Sequence, residues 1–171
     1  MTARDQILAL DHAGLAAALA RGHAIDERAL DDSQYRGISL GLGRALEALT
    51  WKTFAKTFHR DPRTGRLRGW NLRLEQTGLD GPTRPLRAFG HYGVRALGRT
   101  PRPCGPGLVI DYSDGTRGPM GRLRDPIVAV DEGSVELLLG WSFVDLGRVQ
   151  LPTPSYFLLI REGPIAAIIT P

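Results

Sequence analysis

The stretch Leu67-Arg68-Gly69-Trp70-Asn71-Leu72-Arg73-Leu74-Glu75-Gln76 decides the fold class. Trp70, Leu72 and Leu74 fall on one side of an extended chain, and Asn71, Arg73 and Glu75 fall on the other. This period of two marks a half-buried antiparallel strand. Outward from it, short β-like runs recur at residues 35–40, 53–60, 86–97, 107–113, 127–131, 135–145 and 155–162, with an extra strand expected near Arg148. Between them lie Asp61-Pro62-Arg63-Thr64-Gly65, Asp80-Gly81-Pro82, Asp114-Gly115, Asp131-Glu132-Gly133-Ser134 and Gly163-Pro164. The backbone preferences of these residues favour reversals. On residues 135–145 Leu137, Leu139, Trp141 and Phe143 share a face. On 155–162 both parities are apolar, so that strand is expected to be covered on both sides.

The first 34 residues read differently. Ile7, Leu10, Leu15 and Leu19 recur near the helical period, Thr2 followed by Asp5 is a capping signal, and Asp11 suits a break and a second cap. Arg21-Gly22 supplies a cationic last turn and a stop, and residues 26–30 add one more turn. A second helical interruption is expected at 43–50. The sequence therefore predicts a mainly β chain: a helical segment over 1–34 packed on an antiparallel barrel or half-barrel of eight to ten strands over 35–171. A twisted sheet of that size curls, and closure removes its exposed edges.

The chain has 171 residues, 42% hydrophobic and 23% charged, which suits one core without metal or disulfide staples. It lacks an apolar run long enough to span a membrane as a helix, and its opening lacks the order of a signal peptide, so a cytoplasmic location is expected. Cys104 is the single cysteine, which excludes an internal disulfide, and no Cys/His signature surrounds it. The net charge of +4 is uneven: −3 over 1–34, +11 over 35–124 and −4 over 125–171. A basic middle could dock an acidic partner, but strand pairing would bring Arg against Asp and Glu across the sheet. Lysine is scarce, Lys52 and Lys56 alone against 20 arginines, as a GC-rich genome would produce.

Motifs of chemistry fail their context tests. Gly37-Ile38-Ser39-Leu40-Gly41 matches a nucleophile elbow, yet the strand and helix alternation that such an elbow requires is missing, so Ser39 is read as a strand residue. Gly41-Leu42-Gly43 lacks both the third glycine and the βαβ unit of a dinucleotide loop. His12, His23, His59 and His91 have no metal-ligand spacing, so neither metal nor cofactor is expected. His91, in Phe89-Gly90-His91-Tyr92-Gly93, is the histidine best placed to move a proton or orient a ligand, with Asp111 as a carboxylate neighbour.

Leu30-Asp31-Asp32-Ser33-Gln34-Tyr35-Arg36-Gly37, Trp51-Lys52-Thr53-Phe54, Asp125-Pro126-Ile127, Leu139-Gly140-Trp141 and Tyr156-Phe157-Leu158-Leu159 occur in an order that distantly resembles the bacterial GXWXG and DUF4334-type proteins. Ser33 and Tyr35 stand where that signature has glycine and tryptophan. The resemblance implies a lipocalin-like, calycin-type barrel and no particular chemistry.

The expected function is binding of one small, mainly apolar molecule inside the barrel, with Tyr35, Trp51, Trp70, Phe89, His91, Tyr112, Trp141 and Tyr156 as the candidate lining. Bulky rings with one polar tip suit such a pocket. One alternative is an enzyme that uses the same pocket for isomerisation or cyclisation, with His91 or a carboxylate moving the proton. The other is an interaction module whose basic middle docks an acidic partner. Aromatic and basic residues do not interleave on one face, which disfavours nucleic acid. A homodimer is compatible with all three readings.

Overall fold

The computed structural model describes residues 1–41 and 52–170. Helix α1 (Ala3–Leu8) starts where Thr2 and Asp5 form a reciprocal capping box, with N–H to side-chain distances of 3.2 and 3.0 Å. Helix α2 (His12–Arg21) starts at Asp11, whose carboxylate accepts the Gly14 N–H at 2.8 Å. A 3-10 turn, Glu27–Leu30, leads into the sheet.

Eight strands follow: β1 (Ser33–Leu40), β2 (Thr53–Arg60), β3 (Leu67–Leu74), β4 (Pro85–Ala96), β5 (Leu108–Asp111), β6 (Leu123–Ala129), β7 (Leu137–Asp145) and β8 (Gln150–Pro164). Each pairs antiparallel with the next, and β8 pairs back onto β1, so the sheet is a closed up-and-down barrel of the lipocalin-like kind. The strand expected near Arg148 is absent. Residues 146–149 instead turn β7 into the long β8, with the Leu146 N–H on the Val149 carbonyl at 2.9 Å. The helix expected at 43–50 lies outside the described residues.

The interior holds Tyr35, Phe58, Leu67, Tyr92, Leu108, Ile110, Tyr112, Ile127, Ala129, Leu138, Phe157 and Leu159, contributed by all eight strands. Ile25, Leu30 and Val135 join this cluster at the end where β1 begins. A second cluster lies outside the barrel. There Ile7, Leu15 and Leu19 of the helices cover Val128, Leu137, Leu139, Trp141, Phe143, Tyr156 and Leu158. A third, smaller cluster on the outer wall groups Ala55, Trp70, Leu72 and Leu74 with Ala88 and Ile165.

These clusters reverse part of the sequence reading. The alternation of β3 and β7 holds, but the apolar faces with Trp70 and Trp141 turn outward, because helices α1 and α2 cover one and Ile165 and its neighbours cover the other. Period-two patterning tells which side chains share a face; it does not tell which face is inside. On β8 both faces are covered as expected, Phe157 and Leu159 within and Tyr156 and Leu158 beneath the helices.

Strand β4 carries the feature that misplaces His91. Gly69 pairs with Tyr92 and Asn71 with Phe89, so Trp70 alone faces the two residues Gly90 and His91, a β-bulge. The extra residue lets Phe89 and Tyr92 both face inward and throws His91 to the outer wall. Gly90 takes φ +56°, and a Cβ there would lie 2.5 Å from Met120 Cε and 2.8 Å from Asn71 Nδ2, so glycine is required twice over.

Candidate functional site

Beyond the closed, ring-packed half lies the end of the barrel where β1 finishes and β2 begins. A cavity of about 230 Å³ lies there, bounded by Phe54, Phe89, Met120, Leu123 and Phe157 and by Ser39, Ser142 and Ser155. Its polar floor is Lys56, Asn71, Tyr112 and Asp125.

Lys56 points inward because it shares parity with Phe54 and Phe58 on β2, and its side chain is 2% exposed. The ammonium donates three hydrogen bonds: to Asn71 Oδ1 at 2.9 Å, to Tyr112 Oη at 2.5 Å and to Asp125 Oδ2 at 3.1 Å. All three of its protons are therefore placed. Tyr112 Oη in turn lies 3.1 Å from Asp125 Oδ2, and Asn71 Nδ2 donates to Tyr112 Oη at 3.1 Å and to the Gly90 carbonyl at 3.1 Å. Ser142 Oγ donates to the other carboxylate oxygen, Asp125 Oδ1, at 2.7 Å. Four rings surround Nζ, those of Phe54, Tyr92, Tyr112 and Phe157, with centroids 5.1 to 5.7 Å away.

The rings reach the centre because glycines leave space for them. A Cβ on Gly37 would lie 2.3 Å from the Phe54 ring, one on Gly140 2.2 Å from the Phe157 ring, and one on Gly69 2.6 Å from the Tyr92 ring. Tyr92 is fixed there by its hydroxyl, which donates to the Thr57 carbonyl at 2.8 Å. Desolvation pushes the Lys56 ammonium below the ordinary lysine range, against the opposing pull of Asp125. Burial, and then the Asp125 charge, push the Tyr112 hydroxyl well above the ordinary tyrosine value. The arrangement can hold a proton among an amine, a phenol and a carboxylate, all three buried.

Of the residues expected to line the interior, Tyr112 and Phe89 border this cavity. Tyr35 is interior too, but in the packed half, where its hydroxyl donates to the Val135 carbonyl at 2.8 Å and burial pushes its pKa up to about 12. Trp51 lies outside the described residues. Trp70 and His91 sit together on the outer wall, rings 6.2 Å apart, so the bulge removes His91 from any lumenal chemistry. Trp141 and Tyr156 lie under the helices, where Trp141 Nε1 donates to the Thr153 carbonyl at 2.8 Å and Arg102 covers its ring. Their placement there is a correction to the expected lining, with the helical cover as its cause.

The parity reading missed Lys56, Asn71 and Asp125. A signal existed for Lys56: an amine retained between two phenylalanines of one parity, in a chain that otherwise uses arginine. Asn71 carried none, since a polar residue opposite Trp70 reads as solvent-facing.

A larger hollow, about 450 Å³, lies on the outer wall between His59, Arg63, Arg68, Trp70, His91 and the C-terminal Ile168 and Ile169. Its charged rim is largely solvated, whereas the polar groups of the lumen, Lys56, Asn71, Tyr112 and Asp125, are buried and converge on one point. Of the arginines in the basic middle, Arg36 meets Glu162 of a late strand across the sheet as expected, while Arg60 meets Asp31, Arg68 meets Asp114, and Arg95 and Arg124 meet Asp111, acids of the first and middle segments, at 2.8 to 3.2 Å. Burial pushes the Cys104 thiol up to about 11, the behaviour of an inert cysteine. Among the described residues no cluster of His, Cys, Asp and Glu could hold a metal, and no helix is long and apolar enough to cross a membrane. Compared with protein-family models, curated proteins and solved structures, the chain gives no significant match.

Proposed function

We propose that the cavity at this end of the barrel binds one small, mainly apolar molecule carrying a single polar group. The observation that supports this reading most is the cavity itself: apolar walls from Phe54, Phe89, Met120, Leu123 and Phe157 over a floor with buried hydrogen-bonding groups. Few polar groups at the base of an apolar recess are what orients a small ligand. A volume of about 230 Å³ exceeds the roughly 150 Å³ that admits benzene in an otherwise packed core, so the fit is to a single ring or a short branched chain.

Titration with benzyl alcohol, followed by native mass spectrometry and thermal unfolding, tests it. One molecule is expected per chain, with about 2.7 kcal/mol of added stability at a hundredfold excess over the dissociation constant. Leu123→Trp, which fills the recess from its rim, is expected to abolish both signals while the protein stays folded. Binding that persists in Leu123→Trp would place the ligand elsewhere and defeat the reading.

A second reading, proton transfer on the bound molecule, is favoured by the contact between Tyr112 and Asp125. In it these two take the part first expected of His91.

A further inference from the structure

We infer that the ligand carries an aldehyde or ketone and that Lys56 captures it as an imine at the floor of the cavity. This rests on the pocket proposed above and names the group that the pocket receives.

Three features carry the inference. The first is the choice of a primary amine. A guanidinium pairs better with a buried carboxylate and never becomes a nucleophile, whereas a lysine in an apolar recess can shed its proton and attack. The only other lysine, Lys52, is exposed. The second is the surround: Phe54, Tyr92, Tyr112 and Phe157 ring Nζ, three of them lying on glycines, and the side chain is 2% exposed, so little solvent reaches an imine that would otherwise hydrolyse. The third is the proton route. Asp125 Oδ2 lies 3.1 Å from Nζ, and Tyr112 Oη contacts both at 2.5 and 3.1 Å. A purely structural ion pair explains the contacts of Lys56 but not an apolar-walled cavity that Lys56 itself lines, and hydrophobic residues would fill that place at least as stably.

The step balances. Lys56 passes one proton to the Asp125 carboxylate, and the freed lone pair forms a C–N bond to the carbonyl carbon as the C=O π pair moves onto oxygen. That oxygen takes the proton from Asp125, and the nitrogen, now positively charged, returns one of its own to the Asp125 carboxylate, giving a neutral carbinolamine beside a protonated Asp125. The nitrogen lone pair then forms C=N as the C–O bond breaks, and the oxygen leaves with a second proton as water. Amine and carbonyl become imine and water, with no change of oxidation state.

The test uses the full chain with benzaldehyde and sodium cyanoborohydride, read by intact mass and peptide mapping. The chain has three primary amines, its N-terminus, Lys52 and Lys56, so the two exposed ones report unselective labelling. One benzyl group is expected on Lys56 before either of the others, with loss of that label when benzyl alcohol competes. Lys52→Arg should retain the label, and Leu123→Trp should lose it. Benzyl alcohol binding without a label on Lys56 would overturn the imine and leave the pocket standing. Failure of both probes to bind would overturn the pocket as well. Labelling spread over the N-terminus and Lys52, insensitive to the competitor, would also refute the inference.

Discussion

Lys56 stabilises the fold only as one member of a pair. With its side chain 2% exposed and Asp125 5% exposed, removing either partner strands a charge. Lys56→Met alone is expected to cost about 3–5 kcal/mol, whereas Lys56→Met with Asp125→Leu should be neutral or more stable than the parent by as much as about 4 kcal/mol. Urea unfolding of the three proteins measures this, and a single variant as stable as the parent would contradict the buried pairing. The same residue shows where reading the sequence stops. Lys56 could be picked out as unusual, but its partners come from β3, from the turn just after β5 and from β6, and only barrel closure brings those segments to one point. Tyr112 was legible because an aromatic residue with a polar tip invites a pocket; Asn71 was not, because nothing local distinguishes an amide facing a lumen from one facing water.

At the level of the strands, the alternation within each element could be read, and so could its turns and the two helix caps. The inside of the barrel could not. On β3 and β7 the more apolar face is the outer one, an arrangement set by what packs on it from elsewhere in the chain. The bulge at Gly90 was equally hidden, since a glycine within a strand signals a bulge without fixing which neighbour changes face. The glycine seats on β1, β3 and β7 are testable at this scale. Gly140→Ala places a methyl 2.2 Å from the Phe157 ring, and overpacking of this kind costs about 1–3 kcal/mol. The ring must swing into the cavity, so loss of benzyl alcohol affinity should accompany the lost stability, as calorimetry would register. Unchanged binding would mean that the seat does not shape the recess.

Over the whole molecule, the pH dependence of stability follows from groups buried with altered proton affinity. Folded Lys56 gives up its proton below the 10.5 at which the unfolded chain does. Between those two points the unfolded state binds more protons, so stability rises with pH; below both, the burial penalty is fully present. Tyr92 and Tyr112 act in the opposite sense above 10.0, where the folded protein retains protons that the unfolded chain has lost. The difference in urea midpoint between the parent and the Lys56→Met/Asp125→Leu protein should therefore grow in the parent's favour as pH climbs from neutrality toward 10.5. A flat difference would show an amine with an ordinary affinity for its proton.

The order of synthesis sets a further condition. Helices α1 and α2 are synthesised before strands β6 to β8, which they cover, and the seam that shuts the barrel joins β1 to β8. A nascent chain thus holds Leu15, Leu19 and the free edge of β1 unsatisfied until β8 has been made, the interval in which half-made β proteins stick to one another.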